Sequence, residues 1–587
     1  MNISNHSSAH SPSYDVESVS PFPEIPIESL PVRNLYSHLL PLDSPFSKTS
    51  PAFIDALTEK SLSRNDLRHE AGKIAKGLNS ELGLVRRKET VGIFLANGLD
   101  WAEIFLAAQR GGWPTALFAS SLSSTDLSRQ LELSRPEVTF TSTTLLPTLQ
   151  AAYSLLLTPP SSSEIQRKTV LIDSSPNVDT QGFRTLDGLK ADISLEQVEL
   201  EDRQIEREGE DIAQRTSVIC FSSGTEGLSK GVETTHHNLT SLMTMMKPPV
   251  FPTLDPAKDS MLGLLPFSHI YGLFKLMLLP LQHGFPMVIV PKIDLRAICH
   301  AIQTYKVTCA IVVPPILIHL ASSKVVDKYD LSSLDWLLSG AASLGKDLIH
   351  KVEARFSASN TIVLQGYGLT ETSPVTHILQ LSDTQAHPGS IGRLIPNVEA
   401  RLVDQEGKDV VPDKEGSAEG EMWIKGPNVM KGYLGNPEAT RDTIDSDGWL
   451  KTGDIARVDP NGYFWLVDRR KELIKYNGHQ VAPAELEILL LTHPGVADVG
   501  VVGIWSESEK SEVPRAFVAP SSTDDPLTHE AETTLILEIQ DWMKTKVASH
   551  KLLRGGIVLI DQIPRSASGK ILRRKLRDLA STSPGHV

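Results

Sequence analysis

Cysteine is scarce in this chain of 587 residues: only Cys220, Cys299 and Cys309 occur, too few and too scattered for a disulfide framework or a zinc site. Cys220 falls inside the apolar run Val218-Ile219-Cys220-Phe221, where a thiol serves as a small buried hydrophobe. Positive charge is also short. Lys and Arg number 57 against 71 Asp and Glu, giving a formal net charge of -14. That balance excludes a chain that holds nucleic acid or an anionic membrane by its overall field, and a polyanionic ligand would need cations of its own. No membrane span is expected, because the longest apolar stretch, Tyr271 to Val290, is broken by Lys275, Pro280, Gln282 and His283. The first thirty residues are rich in Ser, Pro and His and show neither a transit nor a secretory pattern. They are expected to form a flexible tail over 1–30. The last residues, Pro584-Gly585-His586-Val587, carry no clear peroxisomal signal, so the cytoplasm is the expected compartment. No internal repeat is found.

What is present reads as a large globular enzyme. Hydrophobic residues at 40% and charged residues at 22% are ordinary for a folded protein, and the length calls for more than one domain. Leu67, Ala71, Ile74 and Leu78 share one helical face, and the run Thr90 to Leu95 reads as a buried strand. Trp101 to Arg110 is again helix-like, and Thr308 to Val313 is a β-branched run closed by Pro314-Pro315. Helices alternating with strands imply an α/β architecture. The acidic stretch from Glu196 to Glu210 is expected to be an exposed connection. A second, α+β unit is expected from about Asp468. Its elements are a helix starting at Pro483, strands at Val499 to Ile504 and Ala516 to Ala519, a helix over about Glu530 to Val547, and a basic helix after the loop Arg565 to Lys570.

The strand Val218 to Phe221 runs into Ser222-Ser223-Gly224-Thr225-Glu226-Gly227-Leu228-Ser229-Lys230-Gly231. Glycines let a backbone approach an anion closely, amides and hydroxyls donate to phosphate oxygens, and Lys230 adds a mobile charge. The loop is not a P-loop, since Ser229 precedes the lysine and Gly231 follows it. Further blocks follow in order: Gln365-Gly366-Tyr367-Gly368-Leu369-Thr370-Glu371, Gly420 to Gly426, Gly448 to Asp454, Asp468-Arg469, Lys475 to Glu485 and Gly569-Lys570.

These blocks, spread over about 215 to 577, resemble those of the adenylate-forming superfamily, which includes acyl-CoA synthetases and coumarate-CoA ligases. The resemblance implies a large multi-sheet N-terminal adenylating domain over 31–467, a hinge at 468–469 and a small mobile C-terminal domain over 470–580. It also implies a reaction in which a carboxylate attacks the α-phosphate of ATP, pyrophosphate leaves, and coenzyme A takes the acyl group. Two anions must meet in that first step, so placed cations and dipoles are the means of catalysis.

By the same resemblance, Lys570 bridges the carboxylate and the α-phosphate, and Glu371, with Thr370 beside it, holds Mg²⁺. Ser222, Ser223, Gly224, Thr225, Glu226, Gly227 and Lys230 face the phosphates. Gln365, Gly366, Tyr367 and Gly368 form the adenine side, with Tyr367 stacked on the base. Asp454 accepts from the ribose, Arg469 adds a ribose or phosphate contact, and Lys471, Lys475 and Gln480 touch the nucleotide. Lys292, Asn477 and Gly478 are positions for coenzyme A. His269, Tyr271, Gly340 and Ala341 wall the acyl pocket. Two residues depart from the pattern: Glu226 stands where threonine is usual and repels a phosphate, and Asn477 stands where lysine usually contacts coenzyme A. Amino-acid-activating relatives place an aspartate near His269. None occurs between Pro266 and Lys275, which favours a non-amino acid of aryl, cinnamoyl-like or medium-chain fatty type. Two alternatives stay open: loading of a carrier protein's phosphopantetheine, and a catalytically silent nucleotide-binding regulator.

Overall fold

The computed structural model describes residues 17–85, 88–173, 180, 182–207, 209–222, 229–247, 255–292, 294–340, 344–357, 359–521, 528–566 and 569–582. Three sheets share one continuous core reaching from Leu30 to Phe464. In the eight-stranded sheet the strands Thr115–Ala119, Val91–Leu95, Val138–Thr141 and Thr169–Leu171 run parallel, and the antiparallel hairpin Thr216–Ser222 with Lys230–Thr235 extends it. The nine-stranded sheet has a parallel centre of Met287–Ile289, Met261–Gly263, Cys309–Val312, Trp336–Ser339 and Ile362–Tyr367. The third sheet, of five strands, is antiparallel and ends on Leu450–Val458 and Phe464–Arg469.

The helical expectations held where one face is apolar. Leu67, Ala71, Ile74 and Leu78 are fully buried along Arg64–Leu82, which starts in a capping box between Ser63 and Asp66. Pro314 and Pro315 open the helix Pro314–Ser322, where a missing N–H costs nothing.

A smaller unit has its own core around Val499, Val501, Val518, Ile539 and Ile557. It consists of the strands Val496–Ser506, Ser511–Pro520 and Ile557–Leu559, the helices Pro483–Leu490, His529–Lys544 and Arg573–Thr582, and the hairpin Ile474–Tyr476 with His479–Val481.

Two expectations fail. The segment Glu196 to Glu210 is no exposed connection: Leu195–Ile205 is a helix with a capping box between Ser194 and Gln197, and it buries Val198, Asp202 and Ile205. Its acidic character misleads because Asp202, 2% exposed, accepts from Arg110 Nε and Tyr36 Oη, both at 2.8 Å, and pairs with Arg68. A buried carboxylate held by two guanidinium groups belongs to the core. The expectation of a flexible tail over 1–30 also fails for residues 17–30. Glu17–Val19 adds an antiparallel strand beside Glu399–Val403, Ser20 Oγ donates to Leu394 O at 3.0 Å, and Asn397 clamps the backbone of Ile25 from both sides. Backbone groups satisfied this way are anchored whatever their composition. Among the described residues, no helix is long and apolar enough to cross a membrane.

Candidate active site

The parallel strands of the nine-stranded sheet deliver their carboxyl ends to one place, the usual position of a ligand crevice in such sheets. Ser339 leads into Gly340 at one strand end, and Gln365, Gly366 and Tyr367 close the next. Beside them lies a cavity, open in part to solvent, walled by His269, Ile270, Tyr271, Leu338, Gly340, Gly366, Tyr367, Gly368, Thr370, Val375, His377 and Ile378, with Lys275. A mainly apolar wall with a few polar groups is the character of a small-molecule site. Two glycines are required by crowding. A Cβ on Gly340 would stand 2.8 Å from Tyr271 Oη, and one on Gly368 would strike Pro374 O.

Three of the expected nucleotide residues, Tyr367, Asp454 and Arg469, meet beside this cavity. Tyr367 Oη donates to Asp454 Oδ2 at 2.6 Å, and Arg469 Nε donates to Asp454 Oδ1 at 3.1 Å. Asp454 and Arg469 face each other across paired strands, so the ladder itself sets this ion pair. Burial and the adjoining Asp454 carboxylate push the Tyr367 phenol well above its usual range, keeping it a donor. Gln365 Oε1 accepts from Leu344 N at 3.2 Å, while its buried Nε2 has no partner among the described residues.

Glu371 sits in a single 3₁₀ turn with Thr370, and Tyr433 Oη donates to Glu371 Oε1 at 3.0 Å. Lys230 Nζ lies 4.4 Å from the centre of the Tyr433 ring. Lys230 pairs with Ser222 across the hairpin, so the expected phosphate loop is the connection between two antiparallel strands. Its members Ser223, Gly224, Thr225, Glu226 and Gly227 lie outside the described residues, as does Ala341. Through Tyr433 the end of that loop is brought beside Glu371. The sequence reading missed Tyr433, whose only signal was its place in the Gly432-Tyr433 strand beside Val232 and Glu233.

Lys570 comes from the smaller unit. Its backbone N–H is held by Ser566 Oγ at 3.2 Å, and Arg565, paired with Asp498, donates to Gly569 O at 2.7 Å. Burial, helped by Arg469, pushes the Lys570 ammonium down to about 8 against the pull of Asp454, Glu472 and Glu371. Its charge in turn reaches His269, which burial chiefly and Lys570 secondarily push down to about 4, leaving the imidazole neutral. Lys570 therefore stands in the same cleft as Glu371, Asp454 and Arg469. Gly569 lets it do so: its φ is 83°, and a Cβ there would meet Val313 at 3.0 Å. Gly569→Ala is expected to lower ATP–pyrophosphate exchange about tenfold, since a left-handed non-glycine residue costs about 1–2 kcal/mol before the contact with Val313 is counted. Pyrophosphate exchange measured beside thermal melting separates this from a fold defect.

Other expected residues lie apart. Lys475, Asn477, Gly478 and Gln480 are exposed on the Ile474–Tyr476 and His479–Val481 hairpin, whose backbone is tied to Glu512 and Ser511 of the smaller unit. Asn477, at φ 45°, and Gly478 form its turn. Lys471 and Lys292 are also exposed.

A cleft that joins a phosphate-type hairpin, an Asp–Arg–Tyr cluster and a lysine brought from a second unit defines an adenylating enzyme. Residues 47–434 match the family model of the AMP-binding enzyme and residues 485–570 that of the AMP-binding enzyme C-terminal domain. The chain belongs to the AMP-binding enzyme family and, within it, to the AMP-forming acid–CoA ligases. It is 38% identical over 534 residues to a probable 4-coumarate–CoA ligase 2 of Dictyostelium discoideum, covering 90% of this chain and 92% of that one. It is 32% identical over 536 residues to peroxisomal OPC-8:0-CoA ligase 1 of Arabidopsis thaliana, covering 91% of each. Its fold is similar to a crystal structure of the anthranilate CoA ligase AuaEII with anthranoyl-AMP, with a TM-score of 0.80 at 23% identity over 95% of this chain and 99% of that one.

Proposed function

We propose that the described cleft carries out both half-reactions of a ligase for a non-amino carboxylic acid. The observation that supports it most is the position of Lys570, half-buried and within the field of Arg469, Asp454 and Glu371 and of the cavity residue His269. In the first half-reaction an acid oxygen bonds to the α-phosphorus of ATP and the bond to the β-phosphate oxygen breaks, giving acyl-AMP and pyrophosphate. Lys570 donates to the carboxylate and the α-phosphate as charge gathers between them. Tyr367 packs against the base while its hydroxyl fixes Asp454, which together with Arg469 orients the ribose. Glu371 and Thr370 are oxygen donors suited to Mg²⁺, which commonly takes one or two carboxylates and completes its shell with substrate phosphates. The ion supplies neutralising charge on those phosphates.

In the second half-reaction the thiol of coenzyme A attacks the acyl carbonyl, AMP leaves, and the thiol proton is released. The smaller unit turns about Asp468-Arg469, Lys570 withdraws, and the exposed hairpin with Lys475, Asn477, Gly478 and Gln480 takes its place, with Lys292 near the coenzyme. An ammonium substrate is disfavoured by Lys275 in the cavity wall. The aryl and cinnamoyl class is supported by the coumarate-ligase relatives.

The reading is tested by screening aryl, cinnamoyl and aliphatic acids for acid-dependent AMP release with coenzyme A, and separately with a phosphopantetheine carrier. Release with no acid would overturn it. A pH dependence follows as well. Lys570 must be protonated to donate, and its depressed value means that the charge is lost early, so kcat/KM for ATP in pyrophosphate exchange should fall as pH rises through about 8. Lys570→Arg should abolish that descending limb while lowering the plateau.

A further inference from the structure

The most unusual group in the acyl cavity is Lys275. It stands in a π-helical stretch, Leu273–Leu278, a backbone form concentrated at functional sites. The residue is 5% exposed and lines the cavity. Burial alone pushes its ammonium down to about 7, and among the described residues no carboxylate pairs with it. A cation without a counter-charge is costly to keep inside a protein, so an unspent one in a ligand cavity points to the ligand.

Two further polar atoms of the cavity residues share this state: Tyr271 Oη and His377 Nε2 are buried and have no hydrogen-bond partner among the described residues. Ile270, Leu338, Val375 and Ile378 give the same wall an aliphatic part. Lys275 is also set apart along the chain from His269, on which the charge of Lys570 acts: it lies six residues further on, in the π-helical stretch that follows Ile270–Gly272. The cavity thus joins a side near His269 that Lys570 reaches, aliphatic residues in its wall, and a separate cationic group.

We propose that the acid this ligase activates carries a second carboxylate at its far end, bound by Lys275 with Tyr271 and His377 as hydrogen-bonding neighbours. The proposal rests on the ligase reading and names its substrate class: an α,ω-dicarboxylic acid or an aryl acid with a distal carboxyl group. A site built around a buried polar group rejects an analogue lacking its partner by far more than an apolar wall can discriminate.

The test measures kcat/KM for AMP release by the full-length enzyme with coenzyme A, using acids matched in length and differing only at the far end. One series is 4-carboxycinnamate, 4-hydroxycinnamate and 4-methylcinnamate, and the other sets linear diacids against methyl-ended acids. Wild type should favour the carboxylate-ended member by at least about tenfold. Lys275→Met should lower kcat/KM for the carboxylate-ended acid and raise it for the methyl-ended one, inverting the order, and Lys275→Arg should preserve it. Wild-type preference for a methyl- or phenol-ended acid, or an equal change for all members in Lys275→Met, overturns the proposal. The wild-type order decides by itself if neither variant folds. Absence of AMP release and of pyrophosphate exchange with every acid is a different result, and overturns the ligase reading beneath it.

Discussion

Lys570→Ala is expected to cut ATP–pyrophosphate exchange by about a hundred- to a thousandfold, the usual loss when one preorganised donor to developing charge is removed. The same variant should convert synthetic acyl-AMP and coenzyme A to thioester at close to the wild-type rate. The asymmetry follows from where the side chain comes from. Lys570 belongs to a loop of the smaller unit, held by Arg565 and Ser566, and it reaches the cleft only while Gly569 lies against Val313. Once pyrophosphate has left, no step needs its charge. Removing it also leaves Arg469 and Asp454 paired with each other, so nucleotide affinity should change little. Equal losses in both half-reactions would show that Lys570 maintains the cleft and does not act on the reacting groups.

Asp468→Pro should separate the half-reactions in the opposite way to a simple defect. Asp468 pairs with Ile455 near the end of Phe464–Arg469, and its carboxylate accepts from Arg469 N at 2.7 Å and Ala484 N at 2.8 Å. It therefore fastens the start of helix Pro483–Leu490 to the last strand of the larger unit. Burial pushes its carboxyl up to about 6, with Arg573 and the two N–H groups pulling it back. Proline fixes φ near about -65°, against about -140° for an antiparallel strand, and removes the carboxylate together with both bonds. The arrangement that carries Lys570 into the cleft is the one disfavoured, so pyrophosphate exchange should fall at least about tenfold while thioester formation from supplied acyl-AMP persists. Asp468→Ala, which loses the bonds but not the backbone freedom, should fall less. A folded proline variant that runs both half-reactions normally would show that no turn about this residue is needed.

A hinge at 468–469 concerns backbone rotation, and the two bonds accepted by the Asp468 carboxylate are not legible from it. The family resemblance of the motif blocks is what singled out Tyr367, Glu371, Asp454, Arg469 and Lys570, and the fold brings them to one cleft. Periodicity located the helix Arg64–Leu82 and the strand Val91–Leu95. What stayed hidden depends on partners distant in the chain. Asp202 looked solvated because Arg68 and Arg110 lie more than ninety residues upstream. Lys275 counted as a polar break in an apolar run, an argument against a membrane span. Only the fold reveals that this break is buried, and that His377 and Tyr271 border the same space. Tyr433 belongs to no block, yet it joins Lys230 to Glu371.

The anchored residues 17–30 bear on how the protein is to be produced. The family match starts at residue 47, an obvious place to trim a recombinant chain. Trimming there would remove Glu17–Val19 and uncover Glu399 to Arg401, whose outward backbone donors and acceptors would then be open to any other strand. An edge of that kind invites sheet-to-sheet association between molecules, so a shortened protein should form soluble aggregates at concentrations where the full chain stays dispersed.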